Sequence, residues 1–429
     1  MKPLLDAWTD FRDAARSFSR PARFYLLSEF LVWTAHGVFS VLFNLYLVEA
    51  GFPERFVGRA IASNALGLAI FALPAGALAE RWSRRKTLML GVALEGIGHA
   101  LRAGTTHGPT LLAMGIVIGA GQSMFQIAAA PFLAEHSTPR ERTHLFATFF
   151  ASALLAGVLG SAVGGALPHG LRLALPSFPL FAAYRVSLLV GAALAVAAVL
   201  PLLAMGRLEE HPLAHGSAPV TREERLRLAP VTLNALLIGM GAGLVIPFMN
   251  LYFKDRFGCS SVQIGTFFSI AQVFTAAASL LGPALARRFG KLRTAVTFEL
   301  MSLPFLVTLG AEHRLSVAAV SFWLRATLMQ GSTPLIQTFV MEAMPPPLRA
   351  RATSLINLVW NVGWAVSATL AGTVIERFGY AMPFYATATL YFIAATTFWL
   401  AFRRLPEQGG DVHLSEEAKG RRGDGVSSD

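Results

Sequence analysis

Apolar and polar positions along this chain alternate in long blocks rather than short periods. Runs such as LLAMGIVIGAGQSMFQIAAAPFLA (111–134) and VSLLVGAALAVAAVLPLLAM (186–205) are near or above the roughly 20 residues that cross a bilayer as a helix. Backbone groups in lipid must be satisfied within the segment, so such runs are helices. Twelve blocks of this kind are predicted, near 24–48, 56–79, 87–105, 109–134, 145–168, 180–205, 230–253, 262–286, 294–310, 315–341, 352–374 and 383–402. Most connections are short, which suits antiparallel neighbours. The exception is the polar stretch GRLEEHPLAHGSAPVTREERLRLA (206–229) near the middle. The expected fold class is an all-α integral membrane protein with twelve transmembrane helices.

Composition agrees. The chain is 54% hydrophobic and 14% charged, against about 25% charged residues in a soluble domain. A formal net charge of +11 first suggests nucleic acid, but its distribution argues otherwise. With the N-terminus in the cytoplasm, most lysines and arginines fall in cytoplasmic segments, as the positive-inside rule requires. The excess therefore reads as topology plus attraction to anionic lipid head groups. The single cysteine, Cys259, excludes an internal disulfide framework and a cysteine-based metal cluster; no metal site and no cofactor are expected. Residues 1–23 do not read as a cleaved signal peptide, since the apolar segment that follows is too long for an h-region. The expected organisation is a cytoplasmic tail (1–23), a six-helix bundle (24–205), a cytoplasmic linker (206–229), a second six-helix bundle (230–402) and a cytoplasmic tail (403–429).

The two bundles read as one unit repeated. FNLYL (43–47) returns as MNLYF (249–253). Shifted by about the same distance, GALAERWSRRK (76–86) meets PALARRFGKLR (283–293), and FLAEHSTPRERTHLFA (132–147) meets FVMEAMPPPLRARATS (339–354), pairing Glu135 with Glu342 and Arg142 with Arg349. Six spans is an even number, so both halves insert in the same orientation. They are expected to be related by a pseudo-two-fold axis along the membrane normal, with the substrate between them near mid-membrane. That symmetry would set Asn44 and Asn250 across the central axis as an outer gate, each followed by a tyrosine at the membrane interface; helix-end polarity is the plainer reading.

GALAERWSRRK resembles the loop 2–3 signature of the major facilitator superfamily, G-x-L-a-D-r-x-G-r-r-k, at Gly76, Leu78, Ala79, Arg81, Arg84, Arg85 and Lys86. Glu80 replaces the usual Asp and Ser83 the usual Gly. The resemblance implies a transporter working by alternating access, and assigns Gly76, Glu80, Arg81 and Arg84 to gating. Glu135 with Arg142, and Glu342 with Arg349, are second latch candidates. A carboxylate at a helix end, with an arginine beyond a turn-forming proline, can pair within its half or across to the other. The arginines could equally only enforce topology. GSAVGG (160–165) is similar to the family's antiporter signature ending G-P-x-x-G-G, with Ser161 for Pro. The R-x-x-Q-G relay signature of span 4 is missing.

Ionisable groups within spans are few and are functional candidates by default. Glu29 and His36 lie seven apart on span 1, one face of a helix lining the central cavity in this family, and are the proton-coupling candidates; packing roles are the alternative. Arg325 on span 10 could attract an anion or hold a carboxylate such as Glu299. Glu95, His99 and Arg102 share a face of span 3, peripheral in the family, and read as a structural stripe. Gln122, Gln126, Arg325 and Gln330, with the stripe Asn357, Trp360, Asn361 and Trp364, are the substrate-cavity candidates. Two amides interleaved with two indoles suit a flat or amphipathic molecule, or helix–helix packing.

The sequence contains no G-x-x-x-x-G-K-[ST], H-E-x-x-H or G-x-S-x-G motif, so neither ATP-driven transport by that route nor an enzyme is expected. The reading is a monomeric, proton-coupled exporter of lipophilic or weakly charged small molecules in a prokaryotic inner membrane. Its partners would be the substrate, a proton or other coupling ion, and membrane lipids, not nucleic acid. Uptake of a metabolite, sugar or organic anion is the alternative, and a non-transporting sensor or scaffold the reading from another class.

Overall fold

The computed structural model describes residues 18–206, 222–344 and 346–404. Among them are twelve long helical spans and no strand. The first six are α1 (Arg20–Glu49), α2 (Glu54–Arg81), α3 (Arg84–Gly104), α4 (Gly108–Glu135), α5 (Pro139–Ala174) and α6 (Leu180–Ala197, continued by Val199–Ala204). Helix α7 runs from Arg222–Val245 through a 3-10 turn at Ile246–Phe248 into Met249–Phe257. Then follow α8 (Ser261–Phe289), α9 (Lys291–Ala311), α10 (Leu315–Ala343), α11 (Pro346–Phe378) and α12 (Ala381–Phe402). Ten are long and apolar enough to cross a membrane; α3 and α10, which carry Glu95, His99, Arg102 and Arg325, complete the set. Several helices overrun their predicted apolar blocks, because polar helix ends project beyond the lipid-matched core. The polar stretch expected as a linker (206–229) is already helical from Arg222.

Local chemistry sets the joints. Between α8 and α9 the chain turns on one residue, Gly290, at φ 88°, a left-handed conformation that glycine adopts without a Cβ clash. The equivalent joint between α2 and α3 holds Ser83 at φ 173°, extended backbone open to any residue. The Ser83 hydroxyl then accepts from the Lys86 amide at 3.2 Å, capping α3. That accounts for serine where the family signature has glycine.

Packing repeats with the sequence. In the first half α1 lies against α5 and α6, α3 against α4 and α6, and α2 against α4. Adding six to each number gives the second half: α7 against α11 and α12, α9 against α10 and α12, α8 against α10. The halves meet where α2 crosses α11 and α5 crosses α8, two contacts that the same operation exchanges.

The bundle is asymmetric along its axis. At the far end, where α1 stops and α2 starts, one hydrophobic cluster joins both halves, from Val41, Leu45 and Leu47 to Phe248, Leu251 and Phe253. At the near end, where α1 starts and α12 stops, each half keeps its own cluster, one around Tyr25, Phe132 and Leu202, the other around Leu228, Phe339 and Phe398. Among the described residues, the halves share one buried cluster at the far end and keep separate clusters at the near end.

Candidate functional site

The far-end closure is built on the duplicated Asn-Leu-Tyr. Asn44 donates to the Asn250 side-chain oxygen at 3.1 Å and to the Pro247 carbonyl at 2.5 Å. Asn250 returns bonds to the carbonyls of Val41 at 3.0 Å and Ser40 at 3.2 Å. Proline 247 and the 3-10 turn around it interrupt the regular i→i−4 ladder, and Asn44 takes up the turn's Pro247 carbonyl. Both asparagines are buried. The tyrosines are also buried, not interfacial: Tyr46 donates to the Ala103 carbonyl at 3.3 Å and Tyr252 to Leu309 at 2.7 Å. A buried phenol needs a partner, and the carbonyls ending α3 and α9 supply it at equivalent places. Lys254 with Glu49 (3.7 Å) and Arg55 with Glu376 (3.8 Å) add ion pairs across the halves.

Glycines set how closely the crossings approach. Gly165 lies where an added Cβ would stand 2.5 Å from the Ser261 carbonyl oxygen of α8, and Gly58 2.4 Å from that of Ala368 on α11. Gly160 serves the α1 contact within the first half, 2.2 Å from the Thr34 carbonyl on the same measure. The GSAVGG stretch thus packs against both its own half and the other. Gly76 meets only an Ile127 methyl at 4.0 Å, so no close packing requires it.

Between the ends, His36 and Glu29 are not brought together. The His36 ring contacts the Glu95 carboxylate directly, and the Gln122 amide lies 3.1 Å from the same Nε2. His99, one turn along α3, stands 3.6 Å from the same Glu95 oxygen. Span 3 therefore belongs to the polar centre of the first half. Glu29 faces α5 instead: its Oε2 accepts from Ser152 at 3.2 Å, and its buried Oε1 has no partner among the described residues. Arg102 is anchored towards α2 and α4 by the Ala60 carbonyl, the Ser63 hydroxyl and the Leu111 carbonyl, at 2.8, 3.1 and 2.9 Å.

In the second half Arg325 is buried and donates to the Tyr391 hydroxyl of α12 at 3.1 Å. No ion pair joins it to Glu299 among the described residues, although both are buried with an unpartnered polar atom. Gln126, Gln330 and Asn357 are exposed. Asn361 is turned into its own helix, donating to the Asn357 carbonyl at 2.8 Å. Trp360 and Trp364 pack together with ring centres 4.9 Å apart, half-buried.

At the near end the acidic helix ends pair differently from the expected scheme. Glu135 pairs with Arg84, and Glu342 with Lys291. These pairs are equivalent under the repeat and lie within their halves. Arg142 donates instead to the Ala134 carbonyl at 2.9 Å and to Ser137, because the Pro139 turn folds it back onto the end of its neighbouring helix. Arg81 is exposed. The side chains of Glu80 and Arg349 lie outside the described residues.

A duplicated bundle of twelve helical spans, joined across its halves at one end and carrying buried polar groups between its ends, has the architecture of a membrane transport protein. A family model described as Major Facilitator Superfamily matches residues 25–309 and 231–423. The chain belongs to the Major Facilitator Superfamily, whose members are transporters, not enzymes. It is 23% identical over 399 residues to a putative tartrate transporter of Agrobacterium vitis, covering 85% of this chain and 88% of that one. It is 25% identical over 166 residues to the multidrug resistance protein MdtH of Citrobacter koseri, covering 38% of this chain and 41% of that protein. Among solved structures, a bacterial homologue of the human lysosomal transporter Spinster aligns with a TM-score of 0.74 at 16% identity, covering 89% of this chain and 96% of that one. The D-xylose-proton symporter aligns at 0.71 and 15%, covering 91% and 98%. These likenesses establish the fold.

Proposed function

We propose that this transporter exports lipophilic or weakly charged small molecules, driven by protons that enter down their gradient. Residues 24–205 and 230–402 would be the two bodies that rock, with the near end and both termini cytoplasmic in a prokaryotic inner membrane. The form described is then inward-open. The observation that carries the substrate class is the placement of charge. Arg325, a cation well inside a helix expected to line the cavity, is turned onto Tyr391, while neutral Gln126, Gln330 and Asn357 are exposed and α11 carries an indole pair. The stretch similar to MdtH supports the direction. Coupling is assigned to Glu29, since charging a carboxyl in a span costs about 2.5–3.5 kcal/mol on insertion scales, and to His36. The asparagine pair is the outer gate. The Arg84–Glu135 and Lys291–Glu342 pairs brace the inner ends of their own halves.

A second reading is uptake of an organic anion, favoured by the longer alignment with the putative tartrate transporter; Arg325 would be its cation. Retention of fluorescent lipophilic cations in cells lacking their own pumps separates the two. Export predicts lower retention that a protonophore abolishes. Unchanged retention of every dye, with the protein present in the membrane, overturns export.

A further inference from the structure

The first-half cluster offers more than a proton relay would use. His36, Glu95 and His99 bring two imidazoles and a carboxylate from two helices, with one ligand atom of each within 4.8 Å of the others. We propose that these three side chains bind a divalent transition-metal ion of the zinc type.

Donor chemistry points there first. Two imidazole nitrogens and a carboxylate oxygen suit zinc and its first-row neighbours, and three protein ligands leave a fourth position open. Spacing follows. Ligands about 2.0–2.1 Å from one tetrahedral ion are roughly 3.4 Å apart; His99 Nε2 stands 3.6 Å from the Glu95 oxygen, and His36, which touches that same oxygen directly, would draw back from it to share the ion. Glu95 and His99 reach this geometry because i and i+4 share one helix face.

Unmet bonding capacity decides between a metal and a histidine–carboxylate pair. His36 and Glu95 would satisfy each other without help. Yet His99 is buried beside them with neither ring nitrogen hydrogen-bonded, and Glu95 Oε2 is also bare. Buried polar groups are ordinarily partnered, and a shared ion gives His99 and Glu95 a partner at once. Arg102, the cation one turn further along α3, does not fill the place, being held by its three bonds towards α2 and α4. An ion can enter on the His36 side, where that side chain is 20% exposed beside the exposed Trp33. A metal there ties α1 to α3 whatever the transporter carries and in whichever direction, and with the ion bound His36 no longer takes up a proton, which leaves coupling to Glu29.

The test uses the full-length protein, free of any histidine tag, in lipid nanodiscs. Co2+ added to it should give the intense visible bands of a tetrahedral site, removed by Zn2+. His99→Ala, His36→Ala and Glu95→Gln should each weaken binding by more than about a hundredfold, beyond an outer-shell change. His107→Ala, at an exposed histidine outside the cluster, should bind as wild type. Variants are read only where circular dichroism and gel filtration match wild type. Should none fold, the wild-type protein alone still decides: Zn2+ should shield His36 from diethyl pyrocarbonate and leave the exposed His107 reactive. A featureless Co2+ spectrum from the wild-type protein overturns the site. So do unweakened binding in a folded His99→Ala variant and an unshielded His36.

Discussion

Replacing Asn44 by alanine should loosen the far end by a predictable amount, and the protein carries its own reporter. The side chain holds two bonds across the halves, to Asn250 and to the Pro247 carbonyl. Asn250 keeps an acceptor role through the Leu251 amide, 2.9 Å away, so the main loss is the Pro247 carbonyl, left buried without its side-chain donor. Such an orphan costs about 1–3 kcal/mol, and only in the closed form, because separation admits water. The open-to-closed ratio should rise roughly 5- to 150-fold at 1.4 kcal/mol per decade. Cys259, the sole cysteine, is buried in the cluster joining the halves. Burial also pushes its thiol pKa up, and the thiolate is what reacts, so labelling of the closed form is slow. Maleimide labelling from the far side should therefore quicken in Asn44→Ala by that factor. Asn250→Ala should act likewise, and the double variant should fall short of the sum because the residues share bonds. An unchanged rate in a folded Asn44→Ala protein, with fast labelling once denatured, would refute the gate.

The same thiol reads the α5–α8 crossing. Gly165→Leu drives a side chain into the Ser261 backbone, which cannot swing aside, and should raise Cys259 labelling; Gly76→Ala, with open space around it, should leave labelling and abundance unchanged. Reversing the near-end pair with Arg84→Glu should depress flux at normal abundance, and adding Glu135→Arg should restore much of it; no restoration would deny the pairing. The effect should be modest, since partly exposed pairs contribute about 0–1 kcal/mol. Tyr391→Phe removes the hydroxyl from Arg325 and should lower stability by about 0.5–1.5 kcal/mol, seen as a reduced thermal midpoint in detergent. Under the export reading, Glu29→Gln should leave dye binding intact and abolish the protonophore response.

Hydrophobic blocks and internal repetition made the helix count, the duplication and the meeting of Asn44 with Asn250 legible in the sequence. Each depends only on position within a repeat. What periodicity cannot supply is which neighbour a helix face meets. Glu95 and His99 are visibly one turn apart, but nothing in α3 says that α1 lies opposite, so the sequence does not show their contact with His36. Arg142 looked like the partner of Glu135 because it is close in sequence, whereas Arg84 reaches it because α3 packs along α4. Charge alone points Arg325 to a carboxylate such as Glu299, and the structure gives it a phenol from α12.

The order of packing also bears on how the molecule is made. Helix α1 barely touches α2 and rests chiefly on α5 and α6, so its partners leave the ribosome long after it does. At ~5–20 residues per second, α1 waits several seconds in the membrane with Glu29 and His36 facing no mate. The first half can close only once α6 arrives, well before α12 exists. Assembly is thus delayed within each half yet staged between them, and the early helices, polar groups included, pass through the lipid as temporary strangers to the fold they will join.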